Sequence, residues 1–163
     1  MKTSSHPAAP MIRPRHGGLV GVALRTILVM ACWTPLMVAV LAMFELSFMA
    51  KPLTLREAIF KLQTKGYKPI LAHAERYLYF HKNVDELIEL KDTGLFFQLN
   101  ILSLSGYYSK GVKQMAEKLV DKKVIDFIGS DCHNGNQLIS LSQVLNGAEM
   151  NKLRELNLLN DSL

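Results

Sequence analysis

The sequence predicts an α/β fold with a mainly parallel sheet. From Glu45 onward, short apolar runs alternate with amphipathic segments, as in strands joined by crossover helices. The 163 residues, 49% of them hydrophobic, are enough to bury one core. Polar side chains stand where several apolar runs end, and parallel sheets build their sites at the carboxyl ends of strands.

A strand, a helix and a second strand are predicted first. Residues 38–48 supply the first strand candidate. Thr54 and Glu57 have the spacing of a capping box, which predicts a helix that begins there and ends at Gly66. Residues 69–73 form the next strand candidate.

The following elements continue this alternation. Asn83 is suited to cap a helix that closes at Gly94. Val112, Met115 and Leu119 recur at helical spacing. The predicted elements are a helix at 83–91, a strand at 95–100, helices at 111–123 and 137–158, and a strand at 124–130.

The charges are unevenly distributed along the chain. Of the net charge of +5, the first 44 residues contribute four basic side chains and no acidic one, so the remainder carries only +1. No basic stripe with interleaved aromatic residues remains to bind a phosphate backbone. The composition therefore argues against nucleic-acid binding.

The N-terminal region contains an uncharged run at residues 26–44. Its length suits a membrane-spanning helix, and Arg13, Arg15 and Arg25 would keep the N-terminus on the cytoplasmic side. Pro35 within the run favours the alternative, in which part of it is a buried strand. We keep both a single-pass inner-membrane protein and a protein without an anchor as hypotheses.

The two cysteines, Cys32 and Cys132, form no paired pattern. This argues against a disulfide framework and favours a reducing compartment, so a cytoplasmic protein is expected. No arginine follows Cys132 within seven residues, which excludes the phosphate loop of cysteine phosphatases. No glycine-rich nucleotide fingerprint is present.

A carboxylate and an imidazole follow the last predicted strand. In an extended backbone, Asp131 and His133 would point to one side and Cys132 to the other. Such a pair suits a divalent metal of the Mn, Fe or Zn type. The alternative is an aspartate that caps the next helix beside a surface histidine.

Three further residues have side chains suited to binding metal or phosphate. His73 follows an apolar run and is joined closely to Arg76, whose guanidinium matches a phosphoryl group. Glu45 lies within an apolar run, where a carboxylate is costly to bury unless it is paired or bound to metal. The alternatives are a core histidine, a solvated Glu75–Arg76 pair and the polar edge of a membrane span.

Four segments together resemble a known family. They are residues 44–48 (Phe-Glu-Leu-Ser-Phe), 70–77 (Ile-Leu-Ala-His-Ala-Glu-Arg-Tyr), 97–100 (Phe-Gln-Leu-Asn) and 128–133 (Ile-Gly-Ser-Asp-Cys-His). They are similar to the metal-dependent tyrosine phosphatases of the polymerase-and-histidinol-phosphatase (PHP) superfamily, associated with bacterial capsule and exopolysaccharide synthesis. The resemblance implies a distorted β/α barrel with a metal cluster, usually manganese, that hydrolyses phosphotyrosine on an autophosphorylating tyrosine kinase.

The resemblance also implies roles for single residues. Arg76 matches the arginine that contacts phosphate, and Glu45 matches a bridging carboxylate. Ala74 replaces the proline that is usual in this motif, a change expected to loosen the loop that presents Arg76. The metal ligands implied are Glu45, His73, Asp131 and His133.

The family's opening His-x-His strand, with its further aspartate and histidine ligands, has no counterpart here. His6 and His16 are isolated. The expected organisation is therefore an unrelated basic and apolar segment at 1–42 and a partial PHP domain at 43–163. The expected phosphatase is truncated and impaired.

Two other hypotheses stay open. The chain could be a catalytically silent module, membrane-tethered or not, that docks on a kinase or forms oligomers. It could also reflect a gene rearrangement or a misassigned start, with no settled function. Oligomerisation with another copy would be one way to supply missing ligands.

Overall fold

The computed structural model describes residues 27–32 and 39–160, which build a five-stranded sheet in the order β1-β2-β3-β4-β5. Strand β1 pairs antiparallel with β2, and every other neighbouring pair is parallel. The predicted mainly parallel sheet is confirmed. The strands are β1 (Ile27–Cys32), β2 (Ala39–Phe44), β3 (Tyr67–Leu71), β4 (Phe96–Asn100) and β5 (Phe127–Gly129).

Helices connect the parallel strands and continue after the last one. They are α1 (Leu55–Thr64), α2 (Val84–Ile88), α3 (Leu102–Ser105), α4 (Lys110–Asp121), α5 (Gly135–Leu145) and α6 (Glu149–Arg154). Single 3-10 turns occupy Ala74–Arg76, Leu78–Phe80 and Lys91–Thr93. The sequence pattern did not reveal α3, which has only four residues and no periodicity to detect.

The helix predicted at 137–158 is two helices. Helix α5 ends at Leu145 and α6 begins at Glu149. Between them, the Gly147 N–H donates to the Val144 carbonyl at 3.0 Å, a tight turn that does not continue the helix. A Cβ at Gly147 would lie 3.2 Å from the Gln143 backbone oxygen and 3.3 Å from that of Val144, contacts that are tighter than usual, so the turn favours glycine.

The predicted helix ends are confirmed in part. The Asn83 side chain accepts from the Glu86 N–H at 3.4 Å, as expected of a cap. Thr54 stands at the N-cap of α1, but its side chain makes no capping bond, so the predicted capping box is not formed. Its φ of −98° and ψ of 20° depart from the extended conformation that directs a capping hydroxyl at the first turn.

The core lies between the sheet and the connecting helices. Strand β4 is buried at its last four positions, as is typical of a parallel strand covered on both faces. Helix α4 buries the apolar face that its spacing predicted. Its buried side chains are Val112, Met115, Ala116, Leu119 and Val120.

The apolar run at 26–44 supplies strands β1 and β2 where the structure describes it. Residues 26 and 33–38 of this run lie outside the described residues. Within the described ranges, no helix combines the length and the apolar character that crossing a membrane requires.

Candidate functional site

Three of the four predicted metal ligands meet at the carboxyl edge of the sheet. Glu45 follows β2, His73 lies just beyond β3, and Asp131 lies just beyond β5. The His73 Nε2 atom lies 3.0 Å from Glu45 Oε1 and 3.9 Å from Asp131 Oδ2. Parallel pairing explains this meeting, because it brings the strand ends to one edge.

Two of these residues have a left-handed backbone. His73 has a φ of 49° and Asp131 a φ of 46°. Residues with a Cβ rarely adopt this conformation. The extended backbone predicted for 131–133 is therefore wrong at its first residue. Strained non-glycine residues concentrate at functional sites, where the surrounding structure holds them.

His133 occupies the exposed side of the site, with 75% of its side chain accessible. Its Nδ1 lies 2.8 Å from the backbone oxygen of Asp131 and 3.5 Å from Asp131 Oδ1. The backbone N–H of His133 donates to the side-chain oxygen of Gln137 at 2.6 Å. The structure thus places His133 against Asp131, while its role as a metal ligand stays a prediction.

Arg76 is held between two aromatic rings. Its guanidinium carbon lies 4.4 Å from the centre of the Phe48 ring and 4.1 Å from that of Tyr108. Both distances lie within the range of cation–π attraction, and Nη1 lies 3.5 Å from Asp131 Oδ2. The predicted phosphate-binding side chain therefore lies beside the predicted metal ligands.

A buried polar network lies behind Arg76. The Asn100 side chain donates to the Tyr108 hydroxyl at 2.9 Å. Glu75 Oε1 accepts from the Ser103 hydroxyl at 2.6 Å and from the Asn100 N–H at 3.3 Å. Complete burial raises the pKa of Glu75 to about 7, because desolvation penalises the charged form more than these bonds favour it.

Tyr77 joins the ends of β2 and β3. Its hydroxyl donates to the Ala72 carbonyl at 2.8 Å and accepts from the Leu46 N–H at 3.1 Å. These two partners adjoin His73 and Glu45 in the sequence. The tyrosine is fully buried, which raises the pKa of its phenol.

The donor chemistry fits part of a divalent metal site. Imidazole and carboxylate groups are the ligands that such ions use in proteins. His73 Nδ1 is buried without a hydrogen-bond partner, and an unsatisfied buried polar atom indicates a functional role or a missing ligand. Among the residues with described positions, however, no three His, Cys, Asp or Glu side chains are arranged to hold an ion.

Sequence reasoning gave no role to several residues that build this site. Phe48, Tyr77 and Asn100 stood within the segments that carried the family resemblance, but nothing in the local pattern indicated what they contact. Tyr108 lay in a loop without a predicted element. Their partners are distant along the chain, as the 31 positions between Leu46 and Tyr77 illustrate.

Comparisons with known proteins agree with the expected family. The chain is 33% identical over 100 residues to the CapC protein of Staphylococcus aureus, and 34% identical over 92 residues to the tyrosine-protein phosphatase YwqE of Bacillus subtilis. The matched regions cover 61% and 56% of this chain, but only 39% and 36% of those relatives. The chain therefore spans well under half the length of the curated relatives that it matches.

A solved structure supports the fold. It was solved in work on YwqE from Bacillus subtilis and CpsB from Streptococcus pneumoniae, which are described as unique metal-dependent tyrosine phosphatases. The solved chain matches this chain with a TM-score of 0.55 at 28% identity. It covers 70% of this chain and 53% of the solved chain, as expected of a partial β/α barrel. The family model described as "Capsular polysaccharide synthesis, CpsB/CapC" matches residues 34–141. Because that match covers more than half of the sequence, the chain belongs to the CpsB/CapC family of capsular polysaccharide synthesis.

Proposed function

We propose that this chain carries part of a metal-dependent protein-tyrosine phosphatase site, within a partial catalytic domain at 43–163. The proposed substrate is a cytoplasmic phosphotyrosine protein, an autophosphorylating tyrosine kinase of capsule or exopolysaccharide synthesis. The observation that carries the proposal is the ring-clamped Arg76, whose Nη1 lies 3.5 Å from Asp131 in the Glu45–His73–Asp131 cluster. The names of the relatives support the activity.

In this proposal, manganese or another divalent ion is held by Glu45, His73, Asp131 and His133. Such an ion, when bound, activates water and neutralises charge on the phosphoryl group. The imidazole of His73 supplies a nitrogen donor, and the carboxyl groups of Glu45 and Asp131 supply oxygen donors. The Asp131 carboxylate lies close to both other kinds of group in the site: Oδ2 is 3.9 Å from His73 Nε2 and 3.5 Å from Arg76 Nη1.

Arg76 binds the phosphoryl group. Its planar donor edge matches two phosphate oxygens, and the Phe48 and Tyr108 rings keep that edge directed at the site. In the hydrolysis, a water oxygen forms the new bond to phosphorus and the bond from phosphorus to the phenolic oxygen breaks. The products are tyrosine and inorganic phosphate, with the water's proton balancing the phenolate.

The test of the activity is release of phosphate from a phosphotyrosine peptide in the presence of Mn²⁺. Arg76→Lys keeps the charge but removes the planar fork, so we expect a loss of about 100-fold in kcat/KM, comparable to removing one strong transition-state donor. Arg154→Lys, on α6, is the matched control and should leave turnover unchanged. Equal turnover in wild type and Arg76→Lys would remove the assignment.

Metal content provides a second test. Elemental analysis after dialysis against trace Mn²⁺ should find metal in the wild type and less in Asp131→Asn. Asparagine is chosen because it tolerates the left-handed backbone at this position. A wild type without bound metal would contradict the proposed site.

A second candidate function is a catalytically silent module that docks on the kinase or forms oligomers. The observation that favours it is the absence of a three-ligand arrangement among the described residues. One experiment distinguishes the phosphatase from the silent module. Binding of a phosphotyrosine peptide without Mn²⁺-dependent turnover would support the silent module.

A further inference from the structure

Gln98 is a buried polar residue on β4 that the proposed chemistry does not use. Its side-chain oxygen accepts a hydrogen bond from the backbone N–H of His73 at 3.0 Å. Its amide nitrogen donates to the Leu99 carbonyl at 3.1 Å. Only 5% of the residue is exposed. Protein atoms inside the core therefore provide the hydrogen-bond partners that water would otherwise supply to the amide.

Gly129, on the neighbouring strand β5, makes room for this side chain. A Cβ at position 129 would overlap the amide nitrogen of Gln98. The backbone of Gly129 does not have a positive φ, so its conformation does not require glycine. The requirement is therefore one of space, and it is set by the placement of the Gln98 amide.

The bond from His73 to Gln98 bears on the direction of the His73 ring. His73 has a left-handed backbone, which a residue with a Cβ adopts only when neighbouring groups hold it. An N–H that loses its acceptor inside the core leaves an unsatisfied donor, so the peptide is free to rotate toward another partner. Rotation at this residue would swing the imidazole away from Glu45, whose Oε1 now lies 3.0 Å from Nε2.

We propose that Gln98 is a positioning residue, which fixes the His73 backbone and thereby aims the imidazole at the Glu45–Asp131 cluster, with Gly129 supplying the space that Gln98 needs. This inference rests on the proposed function, in which His73 binds the metal. Residues that orient a metal ligand typically change metal affinity by about 10- to 100-fold when altered. Gln98 acts on the backbone of the ligand, where it controls the direction of the whole side chain.

The test measures three quantities in four variants. The quantities are the Mn²⁺ dissociation constant, the Tm and the backbone ¹³C chemical shifts of His73, which report its left-handed conformation. Gln98→Met keeps the length but removes the acceptor, so we expect the dissociation constant to rise at least about 10-fold and the His73 shifts to move. Gly129→Ala should do the same, because its Cβ displaces the amide.

The double variant Gln98→Ala/Gly129→Ala separates positioning from packing. It removes the overlap, so its Tm should recover relative to Gly129→Ala, while Mn²⁺ binding stays weak and the His73 shifts stay altered. Leu153→Ala, at a fully buried position on α6, is the stability control. It should lower the Tm without moving the His73 shifts or the Mn²⁺ affinity.

Wild-type shifts and affinity in Gln98→Met would overturn the inference, and so would recovery of Mn²⁺ affinity together with Tm in the double variant. If the wild type binds no Mn²⁺, the proposed metal site fails independently. The His73 shifts and the nuclear Overhauser contact between His73 and Glu45 then decide the inference alone. Unchanged values in Gln98→Met would overturn it, and altered values would support it.

Discussion

The loops after β3 and β5 each contribute a left-handed residue to the same site, yet they are built differently. The β3 loop (residues 72–77) buries His73, Glu75 and Tyr77. The β5 loop (residues 130–134) leaves 28% of the Asp131 side chain and 75% of the His133 side chain exposed. One half of the site is thus part of the core, while the other lies on the surface.

The hydrogen bonds of the two loops explain this difference. Those of the β3 loop reach far along the chain, from Tyr77 to Leu46 and from Glu75 to Ser103. Those of the β5 loop are mostly local, such as the 2.8 Å contact of His133 with the Asp131 backbone oxygen, and the long-range exception is the 3.5 Å bond from Arg76 to Asp131. We infer that the β3 loop is fixed when the domain folds, whereas the β5 loop is free to adapt to a bound ion or substrate.

The largest expected effect is a pH dependence of stability that comes from Glu75 in the β3 loop. Glu75 has a pKa of about 7 when folded, against 4.5 as its ordinary value. Between these values the folded chain holds a proton that the unfolded chain releases, so the free energy of unfolding falls as pH rises from about 4.5 to 7. The contribution is at most about 3 kcal/mol and is lost above the folded pKa.

Glu75→Gln removes this titration. In urea unfolding measured from pH 4.5 to 8, the wild type should lose stability relative to the variant as pH rises. Glu117→Gln, at a position on α4, serves as the control and should keep the wild-type slope. If the free energy of unfolding changes with pH equally in wild type and Glu75→Gln, the buried carboxyl of Glu75 does not have the raised pKa on which this prediction rests.

A smaller effect is expected from Tyr77→Phe. The change keeps the buried ring but leaves the Leu46 N–H and the Ala72 carbonyl without their partner. We expect a loss of about 2 kcal/mol in the free energy of unfolding, measured in urea. Tyr107→Phe, at an exposed position, should cost less than about 0.5 kcal/mol. Equal losses for the two variants would contradict the role of Tyr77 in joining the strand ends.

The smallest effect concerns the β5 loop. At position 131, glycine should be more stable than alanine by about 1 kcal/mol, because the left-handed backbone strains any residue with a Cβ. At Cys132, whose φ is not positive, glycine should have no such advantage over alanine. Thermal unfolding of the four variants checks both statements. If alanine is the more stable replacement at 131, the loop has relaxed out of the left-handed conformation.

Much of the fold followed from local patterns. The strand near Phe44, the helix end at Gly66 and the apolar face of α4 are all properties of short segments. The helix predicted to close at Gly94 instead ends at Ile88, and Gly94 caps a separate 3-10 turn at Lys91–Thr93. The meeting of Glu45, His73 and Asp131 followed from parallel pairing, once their positions at strand ends were recognised. Their proposed chemical roles came from the family resemblance, because isolated carboxylates and histidines are common at such positions.

The rest depended on contacts that no local pattern encodes. Gln98 bonds a residue 25 positions away, and its need for space is met by Gly129 on another strand. The left-handed backbone of Asp131 could not be inferred either, because it is uncommon for a residue with a Cβ and no local pattern indicated it. The break at Gly147 was missed since the apolar spacing of α5 and α6 resembles one continuous helix.

The aromatic clamp around Arg76 also affects the entropy of substrate binding. A free arginine side chain carries about 2 kcal/mol of rotamer entropy, which is lost when a ligand immobilises it. Phe48 and Tyr108 already restrict the guanidinium in the folded chain. That entropy is therefore lost during folding, and in the proposed function a phosphoryl group bound by Arg76 would gain its hydrogen bonds without ordering the side chain again.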